Sequence, residues 1–195
     1  MKQSKKTGLF FGSYNPVHVG HLALASYMAQ YTNLDEVWFV ISPHNPFKEK
    51  KSLLADHHRL ELVRIGIGEH PNLKACDIEF KLPQPSYTIN TLTYLQEKFP
   101  EREFALICGT DILPSFHKWK NADQILNYYD IYVYNRPGEF KHSYAKHLRF
   151  HFIDAPMMEI SSSFIRKGIK SGLDMSYFLP ENIYKYIKEM NFYKK

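Results

Sequence analysis

Thr7-Gly8-Leu9-Phe10-Phe11-Gly12-Ser13-Tyr14-Asn15-Pro16-Val17-His18-Val19-Gly20-His21 runs from an apolar pentapeptide through a polar loop into residues 22–29, where apolar side chains recur at helical spacing. The order is strand, loop, helix. Gly12 lets the backbone turn, Pro16 stops the strand, and Gly20 lets a ligand approach the first helical turn without meeting a Cβ. Free N–H groups at a helix start attract anions. His18 and His21 stand three apart, so a helix beginning near Val19 turns both toward one bound group. A phosphate-binding turn is expected. A zinc site would need further ligands, and although His44, His57 and His58 exist, no Cys or carboxylate spacing completes a set. A purely structural, helix-capping pair is the remaining alternative.

Working outward, 195 residues at 44% hydrophobic content suffice for one sizeable core, and nothing suggests a second. A single α/β domain over residues 1–195 is expected. The formal charge of +5 points to anionic partners, but 20 acidic residues are scattered among 25 basic ones with no dense run, which argues against nucleic acid. Cys76 and Cys108 are the only cysteines, each in an apolar segment read as a strand. Two buried free thiols suit a reducing compartment. The basic residues 1–6 precede an apolar run broken by Gly8 and Gly12, which fails as a signal peptide, and residues 37–41 are far too few to span a bilayer. A cytoplasmic protein without a membrane partner follows.

Residues 37–41 form an unbroken apolar run, as in a strand covered on both faces. The loop after it carries Lys48. Residues 56–68 read as a helix capped by Asp56, its arginines mostly concerned with packing, and residues 73–80 as a strand nearer an edge. Pro83 and Pro85 interrupt regular structure before Thr88, a cap for a helix over 89–98. Residues 103–108 form a strand that runs straight into Gly109-Thr110-Asp111, at the edge of an open α/β sheet where ligands bind. Trp119 falls between polar neighbours rather than in an apolar stripe, which favours ligand contact over core packing. A strand over 130–134 delivers Arg136 to the same edge, residues 139–148 make a surface connection, and 150–153 a last short strand. Ser161, Ser162 and Ser163 open a helix with backbone and hydroxyl donors, and Arg166 adds a guanidinium fork one turn later. Residues 180–190 close the chain as a helix.

Residues 12–21 resemble the His-x-Gly-His signature of a nucleotidyltransferase superfamily, and residues 160–166 resemble its second signature, Ile-Ser-Ser-Thr-x-Ile-Arg, with Ser163 in place of threonine. Ser86-Tyr87-Thr88, the block from Gly109 through Asp111 and Phe116 to Trp119, and Arg136-Pro137-Gly138 resemble the nicotinate-nucleotide adenylyltransferase family within it. Tyr14-Asn15-Pro16 departs from the Phe-Asp-Pro usual there and removes a negative charge. The resemblance implies a Rossmann-like open parallel sheet with helices on both faces, in one domain. It implies adenylyl transfer from ATP to nicotinate mononucleotide, giving deamido-NAD and pyrophosphate in NAD biosynthesis. It makes His18 and His21 catalytic. Gly12, Ser13, Tyr14, Gly20, Ser161, Ser162, Ser163 and Arg166 would meet ATP. Lys48, Tyr87, Thr88, Gly109, Asp111, Trp119 and Arg136 would meet nicotinate mononucleotide. Mg²⁺ is expected to arrive with ATP, with no metal site built by the protein. An enzyme acting on phosphopantetheine would share the two signatures but not the other blocks. The sequence leaves the oligomeric state open, a homo-oligomer included.

Overall fold

The structure, a computed structural model, describes residues 4–43, 53–138 and 144–194. Among them, six strands make one parallel sheet in the order β3-β2-β1-β4-β5-β6. The strands are β1 (Lys5–Gly12), β2 (Glu36–Ile41), β3 (Leu73–Cys76), β4 (Arg102–Gly109), β5 (Asp130–Tyr134) and β6 (Phe150–Ile153). The helices are α1 (Val19–Tyr31), α2 (Asp56–Ile67), α3 (Thr88–Lys98), α4 (Ala122–Tyr128), α5 (Ser162–Lys170) and α6 (Glu181–Glu189).

Alternation along the strands divides the core. Phe10, Val37, Phe39, Ile41, Ala105 and Ile107 pack with α1, α2, α5 and α6, while Leu9, Trp38, Val40, Phe104, Leu106 and Ile131 pack with α3 and α4. All six residues of β2 are buried, as its unbroken apolar run predicts. No helix among the described residues is long and apolar enough to cross a membrane.

Burying Glu36 at the start of β2 requires partners. Lys5, Lys74 and Arg102 bring cations within 3.0–3.1 Å, and Trp38 Nε1 donates to Oε2. Burial alone would raise its pKa. The bonds from Trp38, Lys74 and Lys5 and the Arg102 charge outweigh that and hold it at about 2.

Three local expectations need correction. The strand expected over 73–80 stops at Cys76, and a 3₁₀ turn (Ile78–Lys81) follows, because neighbouring Ile78 and Glu79 are both buried and a strand would send them to opposite faces. Its edge position stands. Asp56 does not cap α2, because its carboxylate instead accepts from Arg59, and Ala55 occupies the cap position. Thr88 is the first residue of α3, with Tyr87 at the cap position and no side-chain cap bond. Ser161 does cap α5, its Oγ accepting from the Phe164 N–H at 3.1 Å.

Candidate active site

A cleft of about 730 Å³ opens at the carboxyl ends of β1, β4 and β5, within the range of small-molecule sites. Gly12, Ser13, Tyr14, His18 and His21 line it from the β1–α1 turn, Gly109, Asp111, Trp119 and Arg136 from the β4 and β5 side, and Ser161, Ser162, Ser163 and Arg166 from α5. Gly20 lies in an adjoining recess with His18 and His21.

The turn is shaped by Tyr14, which takes the left-handed backbone (φ 46°) that L residues rarely adopt. Its ring lies among Phe10, Phe39 and His21, and its hydroxyl donates to the Phe10 carbonyl. A Cβ on Gly12 would come within 2.7 Å of that ring. The need for glycine is therefore close approach by Tyr14 rather than a special turn conformation.

His18 occupies the cap position of α1 with extended backbone, and its carbonyl accepts from the His21 and Leu22 N–H groups at 3.0 and 3.2 Å. The two imidazoles stack, centroids 3.7 Å apart and planes 28° apart. A Cβ on Gly20 would stand 3.2 Å from His18 Nδ1, so Gly20 makes room for the imidazole. His18 is 4% exposed. Burial, and then the Arg136 guanidinium, lowers its pKa to about 4. Among the described residues its buried Nδ1 meets no hydrogen-bond partner. A neutral imidazole at a helix start, with one ring N–H to offer, suits a developing phosphoryl charge.

The second signature is stitched to the first. Ser162 Oγ donates to the Pro16 carbonyl at 2.8 Å, Arg166 Nη1 donates to the Asn15 carbonyl at 2.7 Å, and Arg166 Nη2 to Ser163 Oγ at 3.2 Å. Ser162 thus commits its hydroxyl proton, while the Ser161 and Ser163 hydroxyls only accept and keep theirs, so this wall can offer an anion those two hydroxyls, the unpaired N–H groups of the first turn of α5 and the Arg166 charge. On the opposite wall, a Cβ on Gly109 would fall 2.3 Å from Asp111 Oδ1 and 2.5 Å from Arg136 Cγ, so glycine allows these two to approach, to 3.8 Å. Trp119 lies half-buried on Phe116, ring centroids 5.1 Å apart. Tyr87 and Thr88 are not brought into the cleft lining. The Tyr87 ring instead sits under the Lys120 ammonium at 4.4 Å. Lys48 lies outside the described residues.

Two residues behind the cleft escape a reading of the sequence. Arg59, fully buried, donates to the carbonyls of Ser13, Ser42, Pro43 and Leu54 at 2.7–3.2 Å and to Asp56 at 2.6 Å, fastening the β1–α1 turn to the backbone after β2. Its signal was a lone cation on the apolar face shared with Leu62 and Val63. Glu79, 3% exposed, accepts from Thr91 Oγ1 at 2.9 Å and bonds with Ser42 and Ser86. Burial raises its pKa, against those hydrogen bonds. Among the described residues no three His, Cys, Asp or Glu side chains gather as a metal site.

The cytidylyltransferase-like family model matches residues 9–168. A relative from Christiangramia forsetii, named a probable nicotinate-nucleotide adenylyltransferase, is 51% identical, the match covering 98% of this chain and all of the relative. One from Flavobacterium psychrophilum with the same name is also 51% identical over 97% of this chain and all of its own. Nicotinic acid mononucleotide adenylyltransferase of Plasmodium falciparum, solved in complex with NaAD, superposes with a TM-score of 0.79 at 21% identity, covering 97% of this chain and 98% of that one, a likeness of fold.

Proposed function

The chain belongs to the cytidylyltransferase-like family and, within it, to the nicotinate-nucleotide adenylyltransferases, and from that membership we propose how the cleft divides its work. The reaction is adenylyl transfer from ATP to nicotinate mononucleotide, yielding deamido-NAD and pyrophosphate in NAD biosynthesis. An oxygen of the mononucleotide's 5′-phosphate bonds to the α-phosphorus of ATP as the bond from that phosphorus to the β-phosphate bridge breaks. The nucleophile is already anionic, so no general base is needed. Catalysis rests on holding two phosphates in line and stabilising the charge that grows on the α-phosphoryl oxygens.

The observation that carries this assignment is the stacked His18–His21 pair at the start of α1, facing the start of α5 across one cleft. The imidazoles donate to the α-phosphoryl oxygens. Gly12, Ser13 and Gly20 shape the loop around ATP, and the α5 N–H groups, Ser163 and Arg166 hold the departing pyrophosphate. Trp119 offers a face to the pyridine ring, while Gly109, Asp111 and Arg136 hold ribose and phosphate on that wall. Tyr87 and Thr88 reach the pyridine carboxylate only if the start of α3 approaches the cleft. A divalent ion accompanies the triphosphate, and Mg²⁺ is our assignment. It would arrive with the substrate and would screen pyrophosphate charge, and among the described residues the carboxylates of the cleft do not form a cage for it. The unbridged Cys76 and Cys108 suit a cytoplasmic setting.

A coupled pyrophosphate-release assay over a panel of phosphate acceptors tests the whole assignment. Turnover with nicotinate mononucleotide well above that with phosphopantetheine is expected. The reverse order would overturn it.

A further inference from the structure

After α6 the chain reverses. Asn191 takes the left-handed backbone (φ 54°), and the N–H groups of Asn191 and Phe192 return to the Lys188 and Ile187 carbonyls at 3.2 and 3.1 Å. Phe192 then packs on His58 and Tyr186, ring centroids 4.7 and 5.8 Å away. This turn carries Tyr193 back to the phosphate loop, where its hydroxyl lies 2.8 Å from Asn15 Oδ1 and close enough to Arg166 and Arg59 to feel both charges.

The direction of that bond can be deduced. Leu54 N–H, which can only donate, points at the same Asn15 oxygen at 3.3 Å. The shared atom is therefore the carbonyl oxygen, and the Tyr193 hydroxyl donates to it. Burial pushes the phenol's pKa up, so it keeps the proton it donates. Asn15 is 3% exposed, and its main-chain carbonyl receives the Arg166 guanidinium at 2.7 Å. One residue thus takes the tail hydroxyl on its side chain and the triphosphate arginine on its backbone.

We propose that Tyr193 is a positioning residue for ATP, acting through Asn15 to fix where the Arg166 guanidinium stands. The inference rests on the assignment of Arg166 to the triphosphate. Tyr193 touches no reacting atom.

Tyr193→Phe removes only the hydroxyl and leaves the ring's packing in place. Calorimetric titration of the full chain with an ATP analogue carrying a methylene between its α- and β-phosphates should show Kd raised roughly fivefold, the scale of one neutral hydrogen bond. The Kd for nicotinate mononucleotide should move less than about twofold. In an Asn15→Ser background the same change at Tyr193 should have little effect, because the intermediary is gone. Unchanged analogue binding, equal weakening of both ligands, or a full effect in the Asn15→Ser background would overturn the proposal. Steady-state transfer by the wild-type chain separates the two questions. If it shows no turnover with nicotinate mononucleotide while the analogue titrations behave as expected, the assigned reaction fails and the positioning role stands.

Discussion

His18 and His21 stack face to face at the start of α1, 3.7 Å between centroids, with the Arg136 charge bearing on His18. Two imidazoles so close do not readily carry charge together, and burial settles His18 in its neutral form. We expect His18→Ala and His21→Ala each to lower kcat by about 10² to 10³, as for removal of one donor to a developing charge. Folding should survive. Because the folded pKa of His18 is about 4 against an ordinary 6.5, the unfolded chain takes a proton in this interval that the folded chain refuses. Stability contributed by this group is therefore complete above 6.5 and is lost as pH falls toward 4. Melting curves of wild type and His18→Ala should differ in acid dependence between those values. Parallel curves would contradict it.

Arg166→Ala should raise the KM for ATP more than that for nicotinate mononucleotide. Lysine should rescue poorly, since it keeps the charge but cannot bridge the Asn15 carbonyl and Ser163 Oγ as the fork does. Equal losses for both substrates would move Arg166 away from the triphosphate.

The acid mononucleotide should be preferred over the amide by at least about tenfold in kcat/KM, equivalent to ~1.4 kcal/mol. Donors without an exposed carboxylate acceptor at the start of α3 motivate this. The fold does bring Glu79 beneath that segment, but buried and already bonded to Thr91, Ser42 and Ser86. Trp119→Ala should weaken both nucleotides and largely keep their ratio. Specificity constants that are equal, or favour the amide, would reassign the recognition wall.

Arg59→Met should cost about 3 kcal/mol or more in denaturant unfolding, because it removes at once the shared donor to the part-buried carbonyls of Ser13, Ser42, Pro43 and Leu54 and the cation beside Asp56. A loss below about 1 kcal/mol would mean that water replaces the guanidinium there.

Glu36→Gln should flatten the acid limb of stability. The folded carboxyl titrates at about 2, below its ordinary value of 4.5, so its contribution is complete above 4.5 and is lost as pH falls through 2. Urea unfolding of both proteins between pH 6 and pH 2.5 measures the difference. Parallel acid limbs would discount the cluster with Lys5, Lys74 and Arg102.

The sheet was legible because its central strands are largely buried on both faces, so runs such as residues 37–41 announce themselves without periodicity. The signatures were legible because they are contiguous: His18 and His21 lie within one helical turn, and Ser161 to Arg166 within about a turn and a half. Arg59, Glu79 and Tyr193 were not. Their distant contacts, Arg59 to Ser13, Glu79 to Thr91 and Tyr193 to Asn15, span 46, 12 and 178 positions and form only in the folded chain. The break after Cys76 was hidden for a related reason. Ile78 and Phe80 keep an alternating appearance, while the buried bond between Glu79 and Thr91 belongs to tertiary structure. Tyr87 marks the reverse case, a residue made prominent by resemblance that the fold leaves exposed.

Strand β1 sits in the middle of the sheet, yet its two neighbours arrive at very different times. Thr7 pairs with Glu36 on one side and with Phe104 on the other. A ribosome adding about 5–20 residues per second needs on the order of ten seconds to travel between those partners. Until β4 is made, the edge of β1 that pairs with it, from Lys5 to Phe10, lacks its partner strand, and an open edge of this kind recruits strands from other chains. The strand that leads into the proposed phosphate-binding turn thus spends part of synthesis with one edge uncovered.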